Sequence, residues 1–483
     1  MRVLIIIFLL VVAGLAASPW FVGGAVESSL QDQLAEFDQL PGYNVTVLEY
    51  ERGYLASTAT IAVGIDTEFY ESMAADFEDT GDFDVSTLAN GIKVAADIQH
   101  GPLLTAHGLS LGWTDISAIF GRESQPEFEE FFDILGQDIL IEWGLHFGLF
   151  GSGWFATEFS DVDGSYEQDG VEIDFVLKGM ENHTIFTNSG TSFTGDGTLE
   201  ELSLVLNAEE KMSISIEDLT IDGDMILEDS IWFGVGEGEG SIGSILVSAG
   251  DEFDAEIEEL SFHAEITEGS SSETISLRES FRTESASFNG YEVKDAELAF
   301  AYANISKELL ESQMFDTDLY TRDDSGGLDA ETEERYKQLI GDALAYSPKI
   351  NLESIAFETE DGQFDASMSA EIDSSLLAAG AGLDNPFALI PALTVFADLE
   401  VSEPILRYIL LESTKAQMAS VPEDQRPSDA EIVQGVDVQL SIFGATLAQQ
   451  GYIEVEGDLY SSDFSFSEGM ATLNGQEIPL PGF

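Results

Sequence analysis

A two-residue alternation of apolar and polar side chains recurs along most of the chain after residue 43. From Ile139 to Phe147, for example, large apolar residues occupy every second position. Side chains of a β-strand point alternately to its two faces, so this period is typical of strands that bury one face. The sequence therefore predicts a mainly β (α+β) protein with a long, curved antiparallel sheet.

The clearest hairpin is predicted at Tyr43–Ala59. Its first strand alternates strictly, which places Val47 and Tyr50 on opposite faces. Arg52 and Gly53 form the predicted turn, where glycine can adopt the positive φ that other residues avoid. We therefore expect Gly53 to have a positive φ.

The middle of the chain repeats a short pattern of two acidic residues, leucine, a hydroxyl residue and an apolar residue. It occurs at Leu199–Leu204, Ile216–Ile221 and Ile257–Phe262. The unequal spacing argues against a solenoid and favours successive strands of one extended sheet. Glycine-rich stretches at Gly195–Gly197 and Gly234–Gly243 are predicted to be turns between such strands.

An apolar run from Val3 to Val22 precedes this body, with Ser18 as its only polar residue. As a helix it would span about 30 Å, enough for a bilayer. A cleaved signal peptide is the alternative, but Pro19 directly follows the candidate cleavage site and favours a retained anchor. Arg2 predicts that the N-terminus stays in the cytoplasm and that the body is exported.

The order of apolar, strand-like and helical patterns along the chain predicts four regions. Residues 1–24 form a transmembrane signal anchor, and residues 25–42 form a stalk helix. Residues 43–321 form a strand-rich exported region. A linker at Arg322–Gly327 leads to a mixed region, residues 328–483, that closes with a β-hairpin.

A few helices are predicted, mostly towards the C-terminal third. Phe128–Leu135 and Glu331–Leu344 show helical spacing of apolar residues. Ser402 can cap a third helix, and Ser428 with Glu431 has the spacing of a capping box for a brief fourth.

The charge of the chain is extreme, with 92 acidic against 17 basic residues and a net charge of -75. Such a surface repels nucleic acids, so no nucleic-acid partner is expected. Hydrophobic residues make up 44% of the chain, which argues against disorder. The even spread of acid favours adaptation to a salty (halophilic) exterior; a cation-binding surface and a basic partner are the alternatives.

Four segments together resemble the YdgA family of inner-membrane-anchored bacterial envelope proteins. They are Pro19–Glu27 (PWFVGGAVE), Tyr50–Ala59 (YERGYLASTA), Asp97–Leu103 (DIQHGPL) and Glu468–Ile478 (EGMATLNGQEI). The resemblance implies a periplasmic protein held in the inner (plasma) membrane by a single pass, and one that self-associates. It implies no catalytic residues.

Nine residues carry these motifs, and we expect structural roles for them. Catalysis by His100 and anion recognition by Arg52 are the functional alternatives. The nine are Tyr50, Arg52, Gly53, Ser57, His100, Gly101, Pro102, Asn474 and Gly475.

No motif for catalysis, cofactor binding or metal binding emerges. No histidine pair has the HExxH spacing of a zinc site. Gly238–Gly243 matches GxGxxG but lacks a following helix pattern. Asp161–Gly164 resembles the start of a calcium loop without its remaining ligands. The chain has no cysteine, which excludes disulfides and thiolate chemistry.

Two functions remain compatible with the sequence. The first is a non-catalytic envelope protein that acts as a scaffold, assembly factor or interaction module, with an envelope protein or a second copy as partner. The alternative is a carrier of lipid or another amphipathic ligand in a groove of the sheet. A contiguous apolar groove would favour the carrier, and a closed, filled core would favour the scaffold.

Overall fold

The computed structural model describes residues 22–28, 31, 34, 43–65, 91–168, 170–188, 190–208, 211–227, 234–250, 253–315, 329–377, 386–419 and 426–478. The predicted mainly β class is confirmed, and all pairings between these strands are antiparallel. The chain divides into two compact units. The first contains Met1–Asp251 and Ser312–Leu328, and the second contains Glu252–Glu311 and Asp329–Phe483.

The first boundary between the units along the chain falls between Asp251 and Glu252. The predicted strand-rich region, residues 43–321, therefore contributes strands to both units. The linker predicted at Arg322–Gly327 lies outside the described residues.

The first unit is a sheet in which each strand pairs with the next along most of the chain. The order runs β1-β2-β3-β5-β6-β7-β10-β11-β12-β13. Strand β11 is long enough to pair with β10 along its first half and with β9 along its second half. The elements are β1 (Tyr43–Arg52), β2 (Ala56–Ile65), β3 (Ile92–His100), β4 (Leu103–Leu104), β5 (Ser110–Gly121), α1 (Glu129–Leu135), β6 (Ile139–Gly148), β7 (Gly153–Phe159), β8 (Val162–Gln168), β9 (Val171–Lys178), β10 (Glu181–Thr187), β11 (Ser192–Asn207), β12 (Lys211–Leu227) and β13 (Gly234–Ala249).

The predicted hairpin forms between β1 and β2, but its first strand does not alternate strictly. The register shifts by one residue at Leu48. Val47 lies opposite Ile61, and Tyr50 lies opposite Ala59. Since Ile61 and Ala59 share a face of β2, Val47 and Tyr50 also share a face, and the predicted opposite placement is wrong. The extra residue of a bulge is the cause.

The glycine-rich stretches are strands instead of turns. Gly195–Gly197 lies within β11, and Gly234–Gly243 lies within β13. Gly195 of β11 pairs with Gly223 of β12, which pairs with Gly238 of β13. Three neighbouring strands therefore place glycines in one row across the sheet, which we name the glycine row.

The second unit is a meander with helices placed between its strands. Its order is β14-β15-β16-β17-β18-β19-β21-β22-β23, and the short β20 also pairs with β21. The elements are β14 (Phe253–Glu268), β15 (Thr274–Phe288), β16 (Tyr291–Ser306), α2 (beginning in this unit, Lys307–Phe315), α3 (Ala330–Leu344), β17 (Lys349–Thr359), β18 (Gly362–Ile372), β19 (Leu393–Ser402), α4 (Glu403–Ala419), α5 (Asp429–Gln449), β20 (Glu454–Glu456), β21 (Leu459–Ser467), β22 (Met470–Leu473) and β23 (Gln476–Ile478).

Two of the three repeated acidic patterns have a common backbone feature. Asp218 in β12 has φ 56°, and Glu259 in β14 has φ 51°. A non-glycine residue in this left-handed region interrupts the two-residue period of a strand. No residue of the Leu199–Leu204 copy has a positive φ, so the repeated sequence pattern does not depend on this backbone feature.

The predicted helices are present as α1, α3, α4 and α5. The carboxylate of Asp329 caps α3 by accepting hydrogen bonds from the backbone of Glu331 and Thr332. The capping box of α5 also forms, because the Glu431 carboxylate accepts a 2.9 Å bond from the Ser428 backbone nitrogen. This helix was expected to be brief, yet it has 21 residues. Helix α2 was not predicted from the sequence.

Residues 22–28 are helical, and we name them the N-terminal helical segment. The predicted membrane span, residues 3–22, lies outside the described residues apart from Val22. Within the described part of the chain, no helix has the length and apolar character that a membrane crossing requires.

Candidate functional site

Four of the motif residues meet on one face of the sheet in the first unit. Arg52 at the end of β1 lies opposite Ser57 on β2, and Tyr50 shares the face of Arg52. The Oγ of Ser57 lies 3.1 Å from Nε2 of His100, which ends β3. We name Tyr50, Arg52, Ser57 and His100 the buried polar cluster.

The N-terminal helical segment covers this cluster at very short range. A Cβ atom on Gly23 would collide with the imidazole ring of His100. A Cβ atom on Gly24 would lie 2.8 Å from Nη2 of Arg52. The Glu27 carboxylate lies 3.6 Å from Nη1 of Arg52. Three motifs that are distant in sequence thus form one contact, and glycine permits the close approach.

The Ser57–His100 pair is almost inaccessible, with exposed fractions of 2% and 1%. Burial lowers the pKa of His100; the backbone of Tyr54 opposes this shift, and the positive charge of Arg52 adds to it. Nδ1 of His100 has no hydrogen-bond partner within the described structure. A neutral imidazole in this position supports the expected structural role.

The two motif glycines avoid collisions with backbone atoms. Gly53 does not have a positive φ, so that expectation is wrong. Instead, a Cβ atom there would collide with the carbonyl oxygen of Ala56. Gly101 precedes Pro102 through a cis peptide bond. A Cβ atom on Gly101 would collide with the carbonyl oxygen of Gly112.

Asn474 and Gly475 belong to the second unit, where they form the turn between β22 and β23. Their φ values are 46° and 71°, as a type I′ turn requires. The backbone nitrogen of Asp463 donates to Oδ1 of Asn474 at 2.7 Å. These two residues therefore form the turn of their hairpin, and Asn474 also bonds this turn to β21.

A second group of polar side chains in the first unit was missed by sequence reasoning. Asp115 is fully buried, and its Oδ1 lies 2.5 Å from Nδ1 of His146. The His146 ring stacks on Trp154 at 6.1 Å, and His107 meets the same indole edge-on at 4.9 Å. No group of three or more His, Asp or Glu side chains could hold a metal ion within the described structure.

The second unit contains an apolar cleft between helices α4 and α5 and strands β19 and β21. Its volume is about 260 Å³, and nearly all of its lining is carbon. Only long-range contacts form it, so no local pattern in the sequence could have placed it. The lining residues are Leu399, Val401, Leu406, Leu410, Gln439, Leu440, Gly444, Leu447, Ile453, Tyr460, Ser461 and Ser462.

One residue of the cleft lining, Tyr460, belongs to a polar pair. The hydroxyl of Tyr460 donates to Oε2 of Glu403 at 2.7 Å. Burial raises the pKa of Tyr460 to about 12, and the Glu403 carboxylate contributes to the shift. Gly444 leaves room for the tyrosine ring, because a Cβ atom there would lie 3.3 Å from it.

A family model described as a bacterial protein of unknown function (DUF945) matches residues 1–481. The chain belongs to this family. No curated protein matches the chain, and no solved structure matches it. The DUF945 match includes both the buried polar cluster and the apolar cleft, so function has to be argued from the geometry of these two regions.

Proposed function

We propose that the protein is a non-catalytic carrier that binds the apolar chain of a small amphipathic molecule in the apolar cleft. The cleft is the single observation that carries this proposal. Apolar side chains from two helices and two strands surround a space that the protein does not fill itself. Removing an apolar chain from water into such a space is favourable in proportion to the area buried.

The size of the cleft favours a single chain. Pockets for drug-sized molecules have volumes of roughly 300–1,000 Å³. The apolar cleft, at about 260 Å³, lies just below that range. A two-chain lipid would therefore leave one chain outside, whereas a single-chain amphiphile would be accommodated.

The proposal includes where the protein is located in the cell. The apolar run at residues 3–22 would anchor the chain in the inner membrane, with the body in the periplasm, as the resemblance to the YdgA family implies. A carrier tethered there would have direct access to amphiphiles that leave the bilayer.

A non-catalytic role is supported by the placement of the polar groups. The Ser57–His100 pair has the residue types of a nucleophile and a base, but a substrate would need to reach atoms that are almost completely buried. The cleft itself presents carbon and two serines, a glutamine and a tyrosine. These groups are sufficient to bind an apolar chain.

Photo-crosslinking in isolated membranes tests the carrier proposal with the full chain. A long-chain alcohol bearing a diazirine should label peptides of α4 and α5. Leu447→Trp, which places a large ring in the cleft, should reduce labelling of these peptides at least several-fold. Ile442→Trp is the matched control, because Ile442 lies on the same helix with 60% exposure and does not line the cleft.

Labelling confined to other parts of the chain would overturn the proposal. Equal labelling of the Leu447→Trp and Ile442→Trp variants would also overturn it, because the probe would then be held outside the cleft.

A second candidate is an interaction protein that binds another copy of itself. Strand β12 favours it, because five of its apolar side chains are 38–49% exposed. Consecutive residues Met225 and Ile226 point to opposite faces of the sheet, so both faces expose apolar side chains of the kind found at contact sites. Light scattering should then give a multiple of the chain mass that Ile214→Glu reduces, and a monomeric parent protein would exclude this candidate. The five are Met212, Ile214, Ile221, Met225 and Ile226.

A further inference from the structure

We infer that the apolar cleft selects amphiphiles whose head group donates a hydrogen bond and carries no negative charge. This inference rests on the proposed function. It concerns the head group, whereas the carrier proposal concerns the chain. A long-chain alcohol is the simplest ligand of the predicted class, and the matching carboxylate is the simplest ligand that should be rejected.

The lining of the cleft offers no counter-ion to an anionic head group. Among the residues that line the cleft, none is lysine, arginine or histidine. A carboxylate head group would therefore lose its hydration without gaining an ion pair. Such burial of an unpaired charge is strongly unfavourable.

The nearest basic side chain along α4 is already neutralised. Arg407 follows Leu406, which lines the cleft. The Nε of Arg407 lies 2.6 Å from Oδ1 of Asp437 on α5. Recruiting Arg407 to a ligand would break this ion pair.

The Glu403 carboxylate lies beside the cleft, because it bonds to the lining residue Tyr460. Oε2 of Glu403 accepts a hydrogen bond from the Tyr460 hydroxyl, and a carboxylate has further lone pairs on both oxygens. A ligand hydroxyl can donate to these lone pairs. A ligand carboxylate would instead place a like charge beside Glu403, which repels it.

Paired photoprobes test this selectivity in membranes that contain the full chain. The probes are a long-chain alcohol and its carboxylate, each with a diazirine at the same carbon, used at about pH 8. The alcohol should label α4 and α5 at least about tenfold more strongly, since a buried unpaired charge costs more than the energy of a tenfold difference.

A substitution locates the source of selectivity. Glu403→Gln keeps an acceptor for Tyr460 but removes the negative charge, so it should lower the ratio of alcohol to carboxylate labelling several-fold. Glu412→Gln is the matched control on the same helix, because Glu412 pairs with Lys415 instead of with a residue that lines the cleft.

The outcomes separate the two proposals. If neither probe labels the cleft, the carrier proposal itself fails. If both label it equally and Leu447→Trp suppresses both, the carrier proposal stands and the inference is overturned. An unchanged ratio in Glu403→Gln also overturns the inference, because selection would then not depend on this carboxylate.

Discussion

The buried polar cluster and the apolar cleft are both places where helical residues pack against strands, but they differ in how much space the packing leaves. At the cluster, Gly23 and Gly24 bring the helical backbone into contact with polar side chains, and no space remains. At the cleft, large apolar side chains of α4 and α5 stand away from β19 and β21 and leave about 260 Å³ open.

The difference separates residues that hold the structure together from residues that can receive a ligand. Protein interiors are close-packed, so a contact with no free volume responds to the addition of a single atom. A retained apolar space tolerates added atoms and gains free energy when it is filled. The buried polar cluster, Gly53 and Gly101 belong to the first kind of region, and this contrast can be tested by adding atoms to each region.

The largest effect is expected from Gly101→Ala in the first unit. The new methyl group would collide with the carbonyl oxygen of Gly112, which as a backbone atom cannot move aside cheaply. We expect a loss of more than about 4 kcal/mol in the free energy of unfolding, or failure to fold. Gly341→Ala is the control, because no atom lies within 4 Å of its Cβ position on α3. Comparable thermal midpoints for the two variants would contradict the tight packing described.

The next effect is expected where the N-terminal helical segment meets the cluster. Gly23→Ala should cost about 1–3 kcal/mol, because its methyl group overpacks the His100 ring. His100→Ala removes that ring, so Gly23→Ala should cost much less in the His100→Ala background. Thermal unfolding of the four proteins in this cycle measures the coupling, and strictly additive costs would show that the segment does not dock there.

Acidification should weaken the same region. The pKa of His100 is held below its usual value in the folded chain, so the unfolded chain binds the proton first as pH falls below about 6.5. Stability is therefore complete above that pH and declines below it. The thermal midpoint of the parent protein should fall more steeply between about pH 7.5 and pH 5.5 than that of His100→Gln. Parallel pH profiles would show that His100 does not titrate differently on folding.

The smallest effect on stability is expected in the cleft. Leu447→Trp adds a large ring to a region with room for it, so the free energy of unfolding should change by less than about 1 kcal/mol. The same ring should block ligand entry, which separates stability from binding. A loss of several kcal/mol in thermal unfolding would mean that the cleft is as tightly packed as the cluster.

Local patterns predicted the elements that depend on neighbouring residues. The hairpin from Tyr43, the helix capped at Asp329 and the type I′ turn at Asn474 each follow from short-range chemistry. The bulge at Leu48 could not be predicted, because the register of β2 decides it.

The remaining errors have the same origin. Gly195–Gly197 matches a turn pattern, yet its partner strands continue past it on both sides. The converging motifs around His100 were visible in sequence only as separate segments. The cleft depends on how α4 and α5 pack on β19 and β21, for which the chain gives no local signal.

The glycine row has a mechanical consequence. Neighbouring strands lie about 4.8 Å apart, so the row from Gly195 through Gly223 to Gly238 is a strip about 10 Å long that lacks side chains on the face to which these three residues point. Side chains that interlock across strands resist bending of a sheet, and here there are none. We therefore expect the long strands of the first unit to bend more easily at this row than at rows with side chains, while their backbone hydrogen bonds stay intact.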